Sequence, residues 1–252
     1  MSEVSRIDSP KQPRPSAARF ATTHWSVIIT AGQASTTRSE DALEHLCRTY
    51  WPPVYSYLRR QGHSVHESQD LTQGFFARFL EKNYLQNVQP AKGKFRSYLL
   101  GAVKHFVSNE RDRAQAKKRG GGQPILSLDF ERAEGQYGIE PSDSTTAEKI
   151  FDRCWALALL DRVLSRLQEE NEARGKAKTF EHLKVFITKG TSTESYQDVA
   201  EKLETTTGAV KVAAHRLRHR YREILKEEVS GTVENEAEID EELRYLLEAV
   251  ST

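Results

Sequence analysis

Apolar residues first recur at helical spacing from Asp41 onward. Leu43, Leu46, Cys47, Tyr50, Val54, Tyr57 and Leu58 fall at three- and four-residue steps, which predicts an amphipathic helix. Pro52 and Pro53 lie in its middle, and because neither supplies a backbone donor, a kink or interruption is expected there. A second helix is predicted from about His66 to Lys82, burying Leu71, Phe75, Phe79 and Leu80, and a third from near Phe95, burying Leu99, Val103, Phe106 and Val107. These three helices make a first all-α unit over residues 41–115. The pattern then lapses. From Lys117-Lys118-Arg119-Gly120-Gly121-Gly122 to about Ala147 the chain is rich in Gly, Ser, Asp, Glu and Pro, and 116–150 reads as a flexible linker. Periodicity resumes at Phe151, with Cys154, Trp155, Ala158, Val163, Leu164 and Leu167 on one face. A further helix carries Phe180, Leu183, Phe186 and Ile187, and 195–226 supplies two more. The acidic stretch 227–252 ends in Ile239, Leu243, Leu246 and Leu247, the stripe of one short helix. No β-type alternation persists. The expected fold class is all-α: two small helical domains, 41–115 and 151–226, joined by the linker. A disordered leader and short N-terminal segment (1–40) precede them, and an acidic extension (227–252) follows.

Composition narrows the function classes. Of 252 residues, 37% are hydrophobic and 29% charged, which favours small helical cores over one broad sheet. Cys47 and Cys154 are the only cysteines, so neither a zinc site nor a disulfide framework is expected, and a reducing cytoplasm fits. Met1 to Arg19 lacks the apolar run of a signal peptide, and no stretch reads as a membrane span. No Gly-rich phosphate loop or nucleophile motif appears. An enzyme would have to rest on His63, His66, Glu67 and Asp70, which read more simply as exposed residues near a helix start. No catalysis, cofactor, metal or membrane partner is expected.

The strongest local signal lies near the C-terminal end. Ser195 is placed to cap a helix whose apolar stripe is Tyr196, Val199, Ala200 and Leu203. After a turn at Glu204-Thr205, Thr206 caps a second helix that turns Val210, Ala213, Ala214, Leu217 and Tyr221 inward. This is helix-turn-helix spacing, and the small Ala200 permits a close crossing. Thr207 opens the second helix; its outward face holds Lys211, His215, Arg216, Arg218 and Arg222, with Arg220 nearby. Cations and donors on such a helix pair with phosphates and read guanine edges in a major groove. A merely solvated basic face is the plainer explanation, but its coincidence with the helix-turn-helix spacing favours DNA. Many such turns place Gly after the first helix, where a left-handed backbone is needed; here Glu204 stands there.

A second basic concentration runs from Lys92 to Arg119, with nine cations against Glu110 and Asp112. Phe95, Tyr98, His105 and Phe106 are interleaved with them; Phe95 and Phe106 read as core, whereas Tyr98 and His105 lie off the apolar stripe. Basic residues with stacking side chains suit distorted or single-stranded DNA. The linker between the two basic units carries six acidic residues against Arg132 and Lys149 over 126–149, and could occupy a basic channel.

These residues resemble a known family. Glu67-Ser68-Gln69-Asp70-Leu71-Thr72-Gln73-Gly74-Phe75-Phe76 is similar to the helix with which sigma-70 family factors grip the β′ subunit of RNA polymerase. Lys94-Phe95-Arg96-Ser97-Tyr98-Leu99 and the following basic residues resemble their promoter-melting helix, and Tyr196 to Arg222 the winged-helix-like region 4 that reads the −35 element. With only a linker between the two units, the arrangement is similar to the extracytoplasmic-function (ECF) subfamily, in an ECF-like branch common in planctomycetes. The resemblance implies a transcription initiation factor whose partners are core polymerase (β′ and β) and promoter DNA. Glu67, Asp70 and Gln73 would face polymerase. Lys94, Arg96, Tyr98, Lys104, His105 and Arg111 would face the −10 element, and Thr207, Lys211, His215, Arg216, Arg218, Arg220 and Arg222 the −35 element. The acidic linker would thread toward the RNA exit path. Regulation leaves room for an anti-sigma factor or a Ser/Thr kinase, with Ser68 and Thr72 as phosphate acceptors beside the polymerase-facing carboxylates. The tail, nine acidic residues against Arg244 over 227–248, could fold back on the recognition helix. The rival reading is a helix-turn-helix regulator that acts without polymerase.

Overall fold

A computed structural model describes residues 37–80, 94–116, 128–131, 145–188, 194–233 and 235–251. The described residues form helices and no strand, so this part of the chain has the expected all-α character. In chain order the helices are α1 (Thr37–Arg60), α2 (Val65–Leu80), α3 (Phe95–Ala116), α4 (Ala147–Ala173), α5 (Ala177–Leu183), α6 (Val185–Thr188), α7 (Tyr196–Lys202), α8 (Thr207–Ser230) and α9 (Ile239–Ser251), the last preceded by a 3₁₀ turn at Glu236–Glu238. Residues 1–36, most of the linker and the stretch 81–93 lie outside the described residues, as do the expectations made for them.

Helix α4 organises the rest. Ile150, Phe151, Trp155, Ala156, Leu159, Val163 and Leu167 are all buried, and at 100° per residue they occupy well over half of its circumference. A helix that is apolar on so many sides must be covered on several. Helix α1 covers it most extensively; α8, α9 and the start of α3 cover the remainder. The Tyr50 ring of α1 stacks on Trp155 with centroids 3.9 Å apart and 11° between planes, and Phe95 of α3 lies 5.7 Å from the same indole. The helices expected in two separate units therefore share one continuous apolar core.

Two local expectations are corrected. Of the kink or interruption expected at Pro52 and Pro53, the interruption does not occur: helix α1 runs through both prolines to Arg60. Each proline deprives one upstream carbonyl of its usual donor, but Trp51, Val54, Tyr55, Tyr57 and Leu58 around them are buried, and that packing outweighs the local loss. Within the expected linker, Phe130 is packed, its ring 4.9 Å from Trp51 and 5.3 Å from Tyr55. A lone aromatic in polar surroundings gives no periodic signal.

Three helices end alike. After α1, Gly62 (φ 90°) follows bonds from Gly62 N–H to Arg59 O and from His63 N–H to Leu58 O. After α4, Gly175 (φ 69°) repeats the pattern through Glu172 and Asn171. After α7, the same pair runs from Glu204 N–H to Glu201 O (3.2 Å) and from Thr205 N–H to Ala200 O (3.0 Å), but the left-handed residue is Glu204, at φ 50°. This bond pair satisfies carbonyls left open at a helix end, and glycine adopts the required conformation most readily. Glu204 is the only described non-glycine residue at positive φ. Glu204→Gly should therefore raise stability in urea unfolding by about 0.5–1 kcal/mol, the left-handed penalty less glycine's greater unfolded-state freedom. A fall in stability would contradict this account of the turn.

Candidate functional site

The pair α7–α8 is fixed at its ends before any packing is considered. Ser195 Oγ accepts from the Asp198 N–H (3.1 Å) while the Asp198 carboxylate accepts from the Ser195 N–H (2.8 Å), a reciprocal capping box. The Ser195 N–H, followed by its hydroxyl, holds the Asp198 carboxyl below its ordinary range. Thr206 Oγ1 accepts from the Ala209 N–H at 3.2 Å and starts α8. Val199, Ala200, Val210 and Ala214 are buried where the helices meet, as the apolar stripes predicted.

The basic residues of α8 divide into two groups. Lys211, His215, Arg216 and Arg222 are exposed, with Thr207 half-buried in the first turn. The Lys211 ammonium lies 6.0 Å from the centroid of the Tyr196 ring, which itself stacks on Phe186 at 4.5 Å. Arg218 and Arg220 are engaged within the fold. Arg218 donates to the Phe186 carbonyl (3.1 Å) and the Tyr196 hydroxyl (3.0 Å). Arg220 grips both oxygens of Glu170 on α4 at 2.8 and 2.7 Å and also reaches Glu223 and Glu227. Its hydrogen bond to Glu170 raises the guanidinium above, and lowers the carboxyl below, the ordinary range of each. At 100° per residue, Arg218 and Arg220 flank the outward face and lie within reach of neighbouring elements. Val212, by contrast, sits at the centre of that face and is 51% exposed. Sequence reasoning passed over it, although its position opposite Val210, Ala214 and Leu217 was the available signal.

The basic start of α3 is covered. Lys94 Nζ lies 2.9 Å from Glu241 and 3.1 Å from Glu242, both on α9. Arg96 is 7% exposed, with its guanidinium bonded to Glu242 (3.1 Å) and to Asp152 of α4. The Tyr245 ring lies 4.2 Å from that guanidinium, and the Tyr245 hydroxyl donates to Asp152. Burial acts to lower both cations, but their hydrogen bonds to α9 outweigh it and hold each above its ordinary value. The Phe95 N–H donates to the Thr232 carbonyl (2.8 Å), so the tail also caps α3. The acidic tail thus packs on α4 and reaches the start of α3 through these polar contacts; it also lies against α8, the helix onto which it could fold back, through contacts such as Lys226–Asp240 at 3.4 Å. Tyr98 is half-buried against Phe95 and Phe79, which corrects the expectation that it stands off the apolar stripe. Lys104 pairs with Glu148 at 2.7 Å. His105 and Arg111 are exposed, and Asn109 contacts His105 Nδ1 at 3.1 Å. Lys92, the Arg113 side chain and Lys117 to Arg119 lie outside the described residues.

On α2, Glu67 has a structural task. Its carboxylate accepts from the Ser64 N–H and hydroxyl, both at 2.9 Å, and its own N–H donates to Ser64 Oγ. These bonds, the backbone one foremost, hold its carboxyl below the ordinary range. Asp70 is exposed and Gln73 half-buried. Ser68 and Thr72 are fully buried, and the Thr72 hydroxyl donates to the Ser68 carbonyl at 2.6 Å. Their suggested role as phosphate acceptors is corrected, because no kinase reaches a buried hydroxyl in this fold. Among the described residues no group of His, Cys, Asp or Glu is placed to hold a metal ion, and no helix is long and apolar enough to cross a membrane.

No family model, curated protein or solved structure matches the chain.

Glu67 and Asp198 carry a pH dependence of defined sign. With folded values below the unfolded ones, their caps stabilise fully above the ordinary carboxylate range and lose that contribution as pH falls through the folded values. The melting-temperature difference between wild type and Glu67→Ala with Asp198→Ala should be largest near neutrality and shrink toward strongly acidic pH. A difference independent of pH would contradict the charged caps.

Proposed function

We propose that this chain is a transcription initiation factor of the sigma type, similar to the extracytoplasmic-function subfamily, which brings core RNA polymerase to promoters and performs no catalysis. One observation carries the reading. The outward half of α8 presents Lys211, Val212, His215 and Arg216 to solvent, while Arg218 and Arg220 lock the same helix to its neighbours. A rigid helix with long donors and one central apolar side chain matches the needs of a major-groove reader. Lys and Arg reach phosphates or guanine edges, and a small aliphatic group meets a thymine methyl. Helices α7 and α8 then form the helix-turn-helix of a −35-reading unit, and α1–α3 a unit that meets polymerase and the −10 element.

Roles within the reading shift accordingly. Lys211, His215, Arg216 and Arg222, with Thr207 at the helix start, are the −35 contacts, and Val212 joins them. Arg218 and Arg220 position the helix. On α2, Asp70 and Gln73 remain as polymerase contacts, while Glu67 is bound up in its cap. His105 and Arg111 are the −10 residues accessible in this conformation.

The test is reconstitution. Purified protein added to core polymerase should give promoter-dependent transcripts. Lys211→Ala with Arg216→Ala should weaken promoter recognition by roughly 1–3 kcal/mol for each side chain that bonds a base edge bidentately, and the protein should still fold. Tight, sequence-specific binding to isolated DNA with no transcript from any candidate promoter would replace this reading with a polymerase-independent regulator.

A further inference from the structure

Three of the four cations read as −10 contacts on α3 and at its start are already paired with carboxylates of the same chain. Lys94 meets Glu241 and Glu242, Arg96 meets Glu242 and Asp152, and Lys104 meets Glu148. Two of the three pairings depend on α9. We infer that α9 is an autoinhibitory strap: its Glu241 and Glu242 occupy the positions that DNA phosphates would take on Lys94 and Arg96, and DNA must displace them. The inference rests on the proposed function for its biological setting, but the competition itself needs only nucleic acid.

The geometry suits a strap that opens and closes. Glu242 is fully buried against Arg96, so the closed state is specific. Asp152 sits on α4 and not on the tail, so it stays with Arg96 when Glu242 leaves. Opening therefore does not strand a buried guanidinium without a counter-charge, the event that makes removal of one partner of a buried pair so destabilising. The Lys94–Glu241 pair lies at the rim, where the Glu241 side chain is 68% exposed, and such pairs exchange cheaply for another anion. Of the other α9 side chains, Leu247 is 54% exposed, and Tyr245, which covers the Arg96 guanidinium and bonds Asp152, is still 40% exposed. Val233 and Thr232, just before the strap, are buried and anchor its root beside the α3 N-terminus.

The experiment uses the full chain and a fluorescein-labelled, A/T-rich single-stranded oligonucleotide, with binding read by anisotropy at low salt. Glu241→Gln removes one exposed carboxylate and should fold as wild type. It should tighten binding about two- to fivefold, the range of an exposed ion pair. Glu236→Gln removes the same charge from a residue that pairs with neither Lys94 nor Arg96 among the described residues, and should leave affinity unchanged. Adding Lys94→Ala to Glu241→Gln should cancel the gain. Equal affinity of Glu241→Gln and wild type would overturn the strap. So would an equal gain in Glu236→Gln, or a gain that survives Lys94→Ala. A Lys94-dependent gain without promoter-directed transcripts from core polymerase would keep the strap and remove the initiation-factor reading. Transcripts with no gain would do the reverse.

Discussion

Helix α4 has too much apolar surface for any one partner to cover, and the architecture follows from that constraint. Its buried side chains, from Ile150 to Leu167, wrap round most of the helix, and only a ring of other helices removes them from water. Helix α1 supplies the largest cover and the Tyr50–Trp155 stack; α8 and α9 close other sides. Because these covering helices come from both ends of the chain, the parts that carry the two basic segments are held against a common core.

Charge then fixes what apolar burial leaves loose. Arg220 with Glu170, and Arg162 and Arg166 with Glu227 and Glu228, tie α8 to α4. Arg96 with Asp152 and Glu242 ties α3 to α4 and α9. Planar guanidiniums suit this work: Arg96, Arg166 and Arg220 each bond the carboxylates of more than one residue. The result is a division among the basic residues: some hold helices together, some are covered by the tail, and a few on α8 remain outward. On the proposed reading that last group meets DNA first, while the start of α3 becomes available only when α9 yields. Lys211 and Arg216 would then set where the protein binds, and the α9 carboxylates when the second contact forms.

Much of this is legible in the sequence, and the failures have physical causes. Helix spans with strong 3.6-residue periodicity, such as those around Phe75, Leu99 and Val210, fall close to their observed places, and the caps at Ser195 and Thr206 act as their residue types suggest. Glu204 stands where the turn needs a left-handed residue, and its φ of 50° bears that out. Local signals carry those readings. What fails depends on distant neighbours. Whether Arg218 faces DNA or the Phe186 carbonyl is decided by α6, and whether Arg96 is a surface cation or a buried one is decided by α9, 146 residues further on. Net charge on a segment counts the cations without saying which are already paired. Likewise Pro52 and Pro53 look like breakers until the burial on either side is known.

The central claim is that one basic surface stands ready while the other waits beneath the tail. Hydrogen exchange of the full chain, free and bound to core polymerase with promoter DNA, reads both surfaces at once. The account predicts that in the bound state amides in 239–251 lose protection as α9 lifts, while amides in the first half of α8 gain it. Undiminished protection of α9 in a transcriptionally active complex, or no change along α8, would contradict it.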